Sequence, residues 1–550
     1  MKKIILYFLF IGFLFSSCED KLEVTPPDSL TDEQIQEILA SGDEEKIQVI
    51  MKGLVETLDA NFRLSDNYSG FSGNLYNSFT NQELLGNLRA NDIVLGEPSL
   101  GAGGSFGFQL FYHIDGSFEP WKADNRAENY TWWMLAASPH RNANKVLAYL
   151  DKETVEESGS KSLKDYRARA LTVRAFGYNL LMERYQKAYL HGGKDGKGMP
   201  IYTEYGINKP VAPASATDTY NFIKDDLKEA KKLFAESEIG NNKDGFTLDK
   251  PNDIDKGVAL FLLARVSLWT GDYPTCISAT QEILAKYPDF IKEDYYGISN
   301  SRAAALAAGT DDVNANDNAF SSLGKNPETI LGWVDGNGAQ TYQFGNFNIF
   351  LEGSGGLGAY HMRIDNRLYE KMADTDFRKD RFLTNPLSYT YPTNGQVRAI
   401  PKYSNLKWGA TIAKQQNVRN DKLNCDYTYI RSSEVLLMLA EAQALSSQEA
   451  EAKITLNKLL AARTKDGATT LTTDNYPAMS GLSVLDMVKL QWRMEMWGEN
   501  GLDYSNSKRW GQDVDRNGSS VHWSNGKIYK VENMTYEIPI QETSTNPNWF

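Results

Sequence analysis

Residues 257–288, GVALFLLARVSLWTGDYPTCISATQEILAKYP, decide the fold class. Leu260, Leu263, Ala264 and Ser267 recur at i, i+3, i+4 and i+7, which places small and branched residues on one face of a 3.6-residue helix. Gly271 takes the positive φ that ends a helix, and Pro274 has the fixed φ suited to the first turn of the next. Cys276, Thr280 and Ile283 form the inward stripe of that second helix. Pro288 stands where a further turn needs an amide donor. The stretch is one helix-turn-helix unit with a shared apolar seam, and a seam of this kind is buried only by neighbouring units.

The offsets match the tetratricopeptide pattern: small Ala264, the turn pair Gly271 and Tyr273, small Cys276 and a closing proline. Helical periodicity recurs at 31–58, 132–150, 166–185, 217–235, 429–445, 449–463 and 483–497. In 166–185 the face is Ala170, Val173, Arg174, Gly177, Leu180, Leu181 and Arg184, with Arg174 expected as a buried ion-pair partner. Between the helical regions the character changes. Residues 62–120 mix glycine with tyrosine and phenylalanine, and 290–400 are rich in Gly, Asn and Asp with short alternating runs such as 340–351. The expected fold is mostly α. It comprises a tetratricopeptide-like helix-pair scaffold over 31–60, 130–290 and 425–500, and a loop-rich, irregular half over 61–129 and 290–424.

At the start of the chain, Lys2 and Lys3 precede an apolar run at 4–15, the layout of a secretory signal and short for a membrane span. Leu14-Phe15-Ser16-Ser17-Cys18 resembles a bacterial lipobox, so 1–17 is expected to be a lipoprotein signal peptide and Cys18 the lipidated first residue of the mature chain. Residues 18–30, closed by Pro26-Pro27, read as a tether, and 31–550 as a single body. The chain has 58 basic and 71 acidic residues and a net charge of -13, a surface that gains nothing from phosphate counterion release and disfavours nucleic acid. After Cys18 only Cys276 and Cys425 remain, so no disulfide framework is expected in this exported chain.

Several motifs, taken in order, resemble one family, the SusD/RagB-like outer-membrane lipoproteins of Bacteroidetes. They are the lipobox at Cys18; Trp132 with Asn142 and Asn144; YRARALTVRAFGYNLLMERYQ from Tyr166; the repeat ending at Pro288; YIRSSEVLLMLAEAQAL from Tyr429; RMEMWGENGLDYSNSKRWG from Arg493; and the terminal IPIQETSTNPNW. One departure is Met496-Trp497-Gly498-Glu499, where the family has phenylalanine-glutamate-glycine. The resemblance implies a starch-utilisation-system type of nutrient binder at the cell surface, lipid-anchored in the outer membrane. On that reading the chain is not an enzyme; it holds oligo- or polysaccharide on its irregular half and sets its helix pairs against a SusC-like TonB-dependent transporter. Two alternatives stay open: a surface glycoside hydrolase, which needs two carboxylates about 5 to 10 Å apart in a cleft, and a relative that captures a non-glycan nutrient such as peptide.

The remaining motifs carry less chemistry. Residues 353–358 fit GxGxxG, but no alternating strand-helix pattern surrounds them. No GxSxG occurs, and the five histidines show no metal-ligand spacing. No cofactor is expected. Asp513, Asp515, Asn517 and Gly518 fit positions one, three, five and six of a calcium loop, although position twelve is Ser524, so the loop is at most a structural calcium site completed from elsewhere. For sugar, aromatics outside helix seams are the available stacking faces, which selects Phe71, Tyr76 and Trp121 in the first irregular region and Trp333 and Tyr342 in the second.

Overall fold

The structure, a computed structural model, describes residues 32–59, 83, 86–94, 123–125, 127–206, 209–308, 310, 318–320, 322–333, 362–390, 397–407, 426–522 and 526–549. In chain order the scaffold helices are α1 (Asp32–Ala40), α2 (Glu44–Asp59), α3 (Ala127–Leu147), α4 (Lys152–Ser158), α5 (Lys161–Tyr185), α6 (Ala216–Ser237), α7 (Lys256–Thr270), α8 (Tyr273–Leu284), α9 (Asn300–Ala307), α10 (Ser432–Leu445), α11 (Glu449–Ala462), α12 (Val484–Glu495) and α13 (Leu502–Arg509). The strands are β1 (Ile93–Val94), β2 (Lys197–Pro200), β3 (Pro213–Ser215), β4 (Thr329–Trp333), β5 (Arg363–Ile364), β6 (Leu387–Thr390), β7 (Val397–Ile400), β8 (Tyr427–Arg431), β9 (Val514–Asp515) and β10 (Ile528–Tyr529). Among the described residues they form only two-stranded antiparallel pairs: β1 with β5, β2 with β3, β4 with β8, β6 with β7 and β9 with β10. The fold is mostly α, as the periodicity predicts.

The helix pair at 257–288 forms as read. Asp255 caps α7 by accepting the Gly257 and Val258 amides, and Gly271 ends it at φ 80°. The Asp272 amide reaches back to the Ser267 carbonyl at 2.8 Å and the Gly271 amide to Leu268, so the last carbonyls of α7 are satisfied before α8 begins. The one-faced seam is an underestimate. Val258 through Ala264 and Val266 through Trp269 are all buried, because α6 packs on one flank of α7 while α8 and α10 pack on the other. Arg265 is the polar exception on this helix; it donates to both Glu183 oxygens at 2.8 and 2.9 Å. Each Leu or Val withdrawn from water here contributes about 1.5–3 kcal/mol, which makes α7 the centre of the scaffold.

Packing runs from neighbour to neighbour: α3 on α5, α5 on α6, α6 on α7, α7 on α8, α8 on α10, and α10 on both α11 and α12. One contiguous core of buried apolar residues extends from Leu39 to Trp549. Gly177 lets α5 approach the bend that Pro139 puts in α3, since a Cβ there would lie 3.0 Å from the Ala136 carbonyl oxygen and the His140 nitrogen. Arg174 is the buried ion-pair partner expected of it, binding both Asp226 oxygens at 2.7 Å. The 31–58 region is two helices, broken at Gly42 with φ 68°. The helix read as starting at 429 starts at Ser432, because residues 427–431 pair with β4 as a strand. β-Branched Thr428 and Ile430 alternate with Tyr427 and Tyr429 over so short a run that either element is satisfied, and the tertiary partner decides. Residues 340–351 lie outside the described residues. Among those described, no helix is long and apolar enough to cross a membrane.

Candidate functional site

Two strand pairs lie in or beside the irregular half. Val94 pairs with Arg363, and Trp333 pairs with Tyr427. The first ladder therefore ties the 61–129 region to the 290–424 region, and the second ties the 290–424 region to the start of the helical 425–500 stretch. Phe71, Tyr76, Trp121 and Tyr342 lie outside the described residues, as do Cys18 and the 353–358 glycine run. Trp333 is described, and its expected role is corrected. It is 4% exposed, with its ring centroid 4.9 Å from that of Tyr427 and 6.3 Å from that of Tyr429, so the indole is consumed by packing between β4 and β8. The Gly-, Asn- and Asp-rich composition of 290–400 placed it in an irregular segment; pairing with β8 turns it inward.

Beside β1 lies the described carboxylate pair that a hydrolase reading would choose. Asp503, in the first turn of α13, accepts the Asp92 amide at 2.7 Å. Burial, and then the neighbouring Asp92 carboxylate, pushes its pKa upward. A buried carboxyl whose pKa is raised beside a second carboxyl resembles a glycosidase pair. The surroundings give them another task. Asp92 is 1% exposed, and Arg493 holds it from both nitrogens at 2.5 and 2.9 Å. Trp497 Nε1 donates to the Asp92 carbonyl at 2.8 Å. With its oxygens clamped by a guanidinium, Asp92 presents no free face to a sugar carbon, and the pair ties β1 to α12 and α13.

The motif from Arg493 continues inward into a charge cluster under β4 and β8. Glu495 receives Arg431 and Arg463 on one oxygen, at 2.7 and 2.9 Å, and Arg378 and Arg463 on the other, at 3.0 and 2.9 Å. Glu328 receives Arg431 and Arg463 at 2.7 Å each. Glu499 receives Arg431 at 2.7 Å and the Lys407 ammonium at 2.6 Å. Asp376 holds the far side of Arg378 at 2.6 Å. Four cations, Arg378, Lys407, Arg431 and Arg463, thus meet four anions, Glu328, Asp376, Glu495 and Glu499, all at 4% exposure or less. Despite burial, the surrounding guanidinium groups hold Glu495 well below the usual carboxylate range; burial takes Lys407 down to about 8. No member touches solvent, so the cluster binds segments of the chain together and no substrate.

The other sequence signatures resolve in the same way. Arg509 forks onto both Glu441 oxygens at 2.6 Å, and Trp510 Nε1 joins at 2.8 Å, locking the Arg-Trp pair onto α10. Trp132 lies under the Arg184 guanidinium at 4.6 Å, and Asn144 bridges Arg174 to the Tyr202 carbonyl. Glu328, Asp376, Lys407 and Asp92 escaped sequence reading because each is one charged residue in a stretch without periodicity. Their only sequence signal was the resemblance of their partners' helix.

The residues of the calcium reading are held by contacts within the chain. β9 and β10 pair Asp515 with Ile528 and Val514 with Tyr529, making the segment a hairpin. Asp513 is held by Lys530 at 2.8 Å and by the Val531 amide, and Asp515 accepts the Asn517 amide at 2.8 Å. Arg367 donates to the Asp515 and Asn517 carbonyls, both at 2.8 Å, and buried Arg516 lies within the turn. Asp513 is thus engaged by the protein's own donors at both carboxylate oxygens and Asp515 at one. Among the described residues no cluster of His, Cys, Asp and Glu fits a metal ion. Excess calcium is therefore expected to leave the melting temperature unchanged by calorimetry. A specific site at saturation, a hundredfold above Kd, would stabilise the fold by about 2.7 kcal/mol, and an upward shift of that size would restore the calcium assignment.

Comparison with known proteins follows the same lines. Residues 364–549 match a family model described as the SusD family. Residues 105–244 match one described as starch-binding associating with outer membrane. No curated protein sequence matches the chain. Among solved structures, a SusD-like carbohydrate binding protein from Bacteroides vulgatus shares the fold with TM-score 0.63 and 21% identity, over 93% of this chain and 97% of that one. A SusD superfamily protein from Bacteroides thetaiotaomicron gives TM-score 0.61 and 18% identity over 91% and 99%. Surface glycan-binding protein A from Bacteroides thetaiotaomicron, solved in complex with laminarihexaose, gives 0.59 and 16% over 94% and 98%. With both its scaffold and its Arg493 motif accounted for in this way, the chain belongs to the SusD/RagB family.

Proposed function

We propose that this protein is a cell-surface glycan-binding lipoprotein that captures oligo- or polysaccharide and passes it to a SusC-like TonB-dependent outer-membrane transporter. The observation that carries the reading is the fold shared over 94% of the chain with a surface glycan-binding protein that holds a β-linked hexasaccharide, laminarihexaose. Phe71, Tyr76, Trp121 and Tyr342 belong to the stretches outside the helix scaffold and are the proposed stacking faces. A pyranose presents C–H groups to such rings and its hydroxyls to amides, carboxylates and guanidinium groups at the edge. Each ring contributes on the order of 1 to 2 kcal/mol, so Trp121→Ala is expected to weaken glycan binding about tenfold by calorimetry with the circular dichroism spectrum unchanged. Full affinity in the variant would move the site elsewhere.

On this reading the protein is not a hydrolase, and incubation of the purified protein with its glycan is expected to release no reducing ends. Cys18 is proposed to carry the lipid. Cys18→Ala is expected to yield a soluble exported protein in cells that lack the transporter. Continued fractionation with membranes in those cells would refute the anchor.

A further inference from the structure

A cavity of about 750 Å³ opens between α3, the stretch that follows β2, and the C-terminal residues 541–546. Its size falls within the range of small-molecule sites, about 300–1,000 Å³. None of its walls includes β1, β4, β5 or β8, the strands that tie the irregular half together. We propose that this cavity is a second saccharide site, separate from the one on the irregular half. The proposal rests on the glycan reading above and adds a location that neither the irregular stretches nor the charge cluster supplies.

The walls are built and pinned. Asn144 on α3 donates to the Tyr202 carbonyl at 2.8 Å while accepting from Arg174 at 3.2 Å. The Tyr202 amide donates to the Tyr178 hydroxyl at 2.7 Å. On the opposite side, Asn546 donates to the Val211 carbonyl at 2.8 Å, Asn548 to Pro210 at 3.0 Å, and Trp549 Nε1 to Glu542 at 3.1 Å. The stretch carrying Tyr202 and Tyr205 is thereby tied to a helix on one side and to the chain terminus on the other. A ligand entering a site held in this way orders little of the protein on binding.

The chemistry of the lining selects the ligand class. Tyr130, Tyr202 and Tyr205 bring aromatic rings to the cavity, and Tyr205 is 56% exposed. A ring left half in water on a stretch with no helix seam to fill is an available stacking face. Arg141, Lys209, Glu204 and Glu542 also line the cavity. Two cations and two anions leave no net charge to attract an ionic ligand. They supply donors and acceptors of the kind that vicinal hydroxyls bind. A neutral polyhydroxylated ring system satisfies both halves of that lining.

Calorimetric titration of the mature chain with laminarihexaose and with maltohexaose tests this. Two classes of site are expected with one of them, and Tyr205→Ala should weaken a single class about tenfold while Trp121→Ala weakens the other. Arg141→Ala, also at an exposed position, provides a second variant with the same expected pattern as Tyr205→Ala, and circular dichroism checks folding of each. A single class unmoved by Tyr205→Ala and Arg141→Ala but lost in Trp121→Ala overturns this site and leaves the glycan reading standing. No heat with either sugar, extended to a panel of other hexasaccharides, overturns both. Unchanged sugar binding with loss of transporter co-purification in Tyr205→Ala assigns the cavity to a protein partner and also overturns the proposal.

Discussion

Glu495→Gln is expected to destabilise the protein by about 3–5 kcal/mol, the cost of removing one partner from a buried ion cluster. The substitution keeps the side-chain volume, so no cavity contributes. It removes the one anion that contacts Arg378, Arg431 and Arg463 together, and leaves four buried cations facing three anions. The new amide nitrogen turns a donor toward guanidinium donors in a site buried from bulk solvent. Because Glu495 ends α12 while its partners come from β8, from the end of α11 and from residues 377–381, the loss separates elements that are distant in sequence. Urea unfolding followed by circular dichroism reads the effect as a drop in midpoint at unchanged slope. A loss below about 1 kcal/mol would mean that the cluster behaves like a set of solvated surface pairs, which its burial excludes.

The second large effect is on pH dependence at His140. This imidazole is 6% exposed, stacks on Tyr178 with ring centroids 4.7 Å apart, and has Arg141 and Arg174 as its charged neighbours. Burial first, and then those two cations, take its pKa from 6.5 down to about 3. The folded value lies below the unfolded one, so the unfolded chain takes up the proton first as pH falls. The contribution of His140 to stability is therefore complete above pH 6.5 and is lost from there toward pH 3 at up to about 1.4 kcal/mol per unit. Carboxyls such as Asp165 and Asp226, whose pKa values burial raises, act in the opposite sense over part of that window, so the whole stability curve does not isolate the histidine. The difference between wild type and His140→Phe does, because phenylalanine keeps an aromatic ring against Tyr178 and cannot take a proton. Between pH 7 and pH 5 the variant is expected to gain about 2 kcal/mol relative to wild type in urea unfolding. Parallel curves would show that His140 titrates normally in the folded chain.

Sequence periodicity was enough for the helix-pair scaffold, because a 3.6-residue apolar repeat with Gly271 and Pro274 at the turn leaves one local solution. It also marked Arg174 as a buried ion-pair partner, since an arginine on an otherwise apolar helix face must find an anion. It did not reveal that α7 is buried on every side, because burial depends on which helices flank it and a single sequence does not encode its neighbours. The Arg493 motif was legible as a signature and opaque as chemistry: Glu495 and Glu499 meet Arg378, Lys407, Arg431 and Arg463 only after 32 to 117 residues of intervening chain have folded back. Trp333 was misread for a related reason. Local composition reports what a residue is able to bind, whereas the partner that claims it, Tyr427 for the indole, arrives from elsewhere in the chain. Helical class, the candidate export signal and the order of elements are local properties of this sequence. The satisfaction of buried charges and the availability of aromatic faces are properties of contacts between distant segments, and only the tertiary structure decides them.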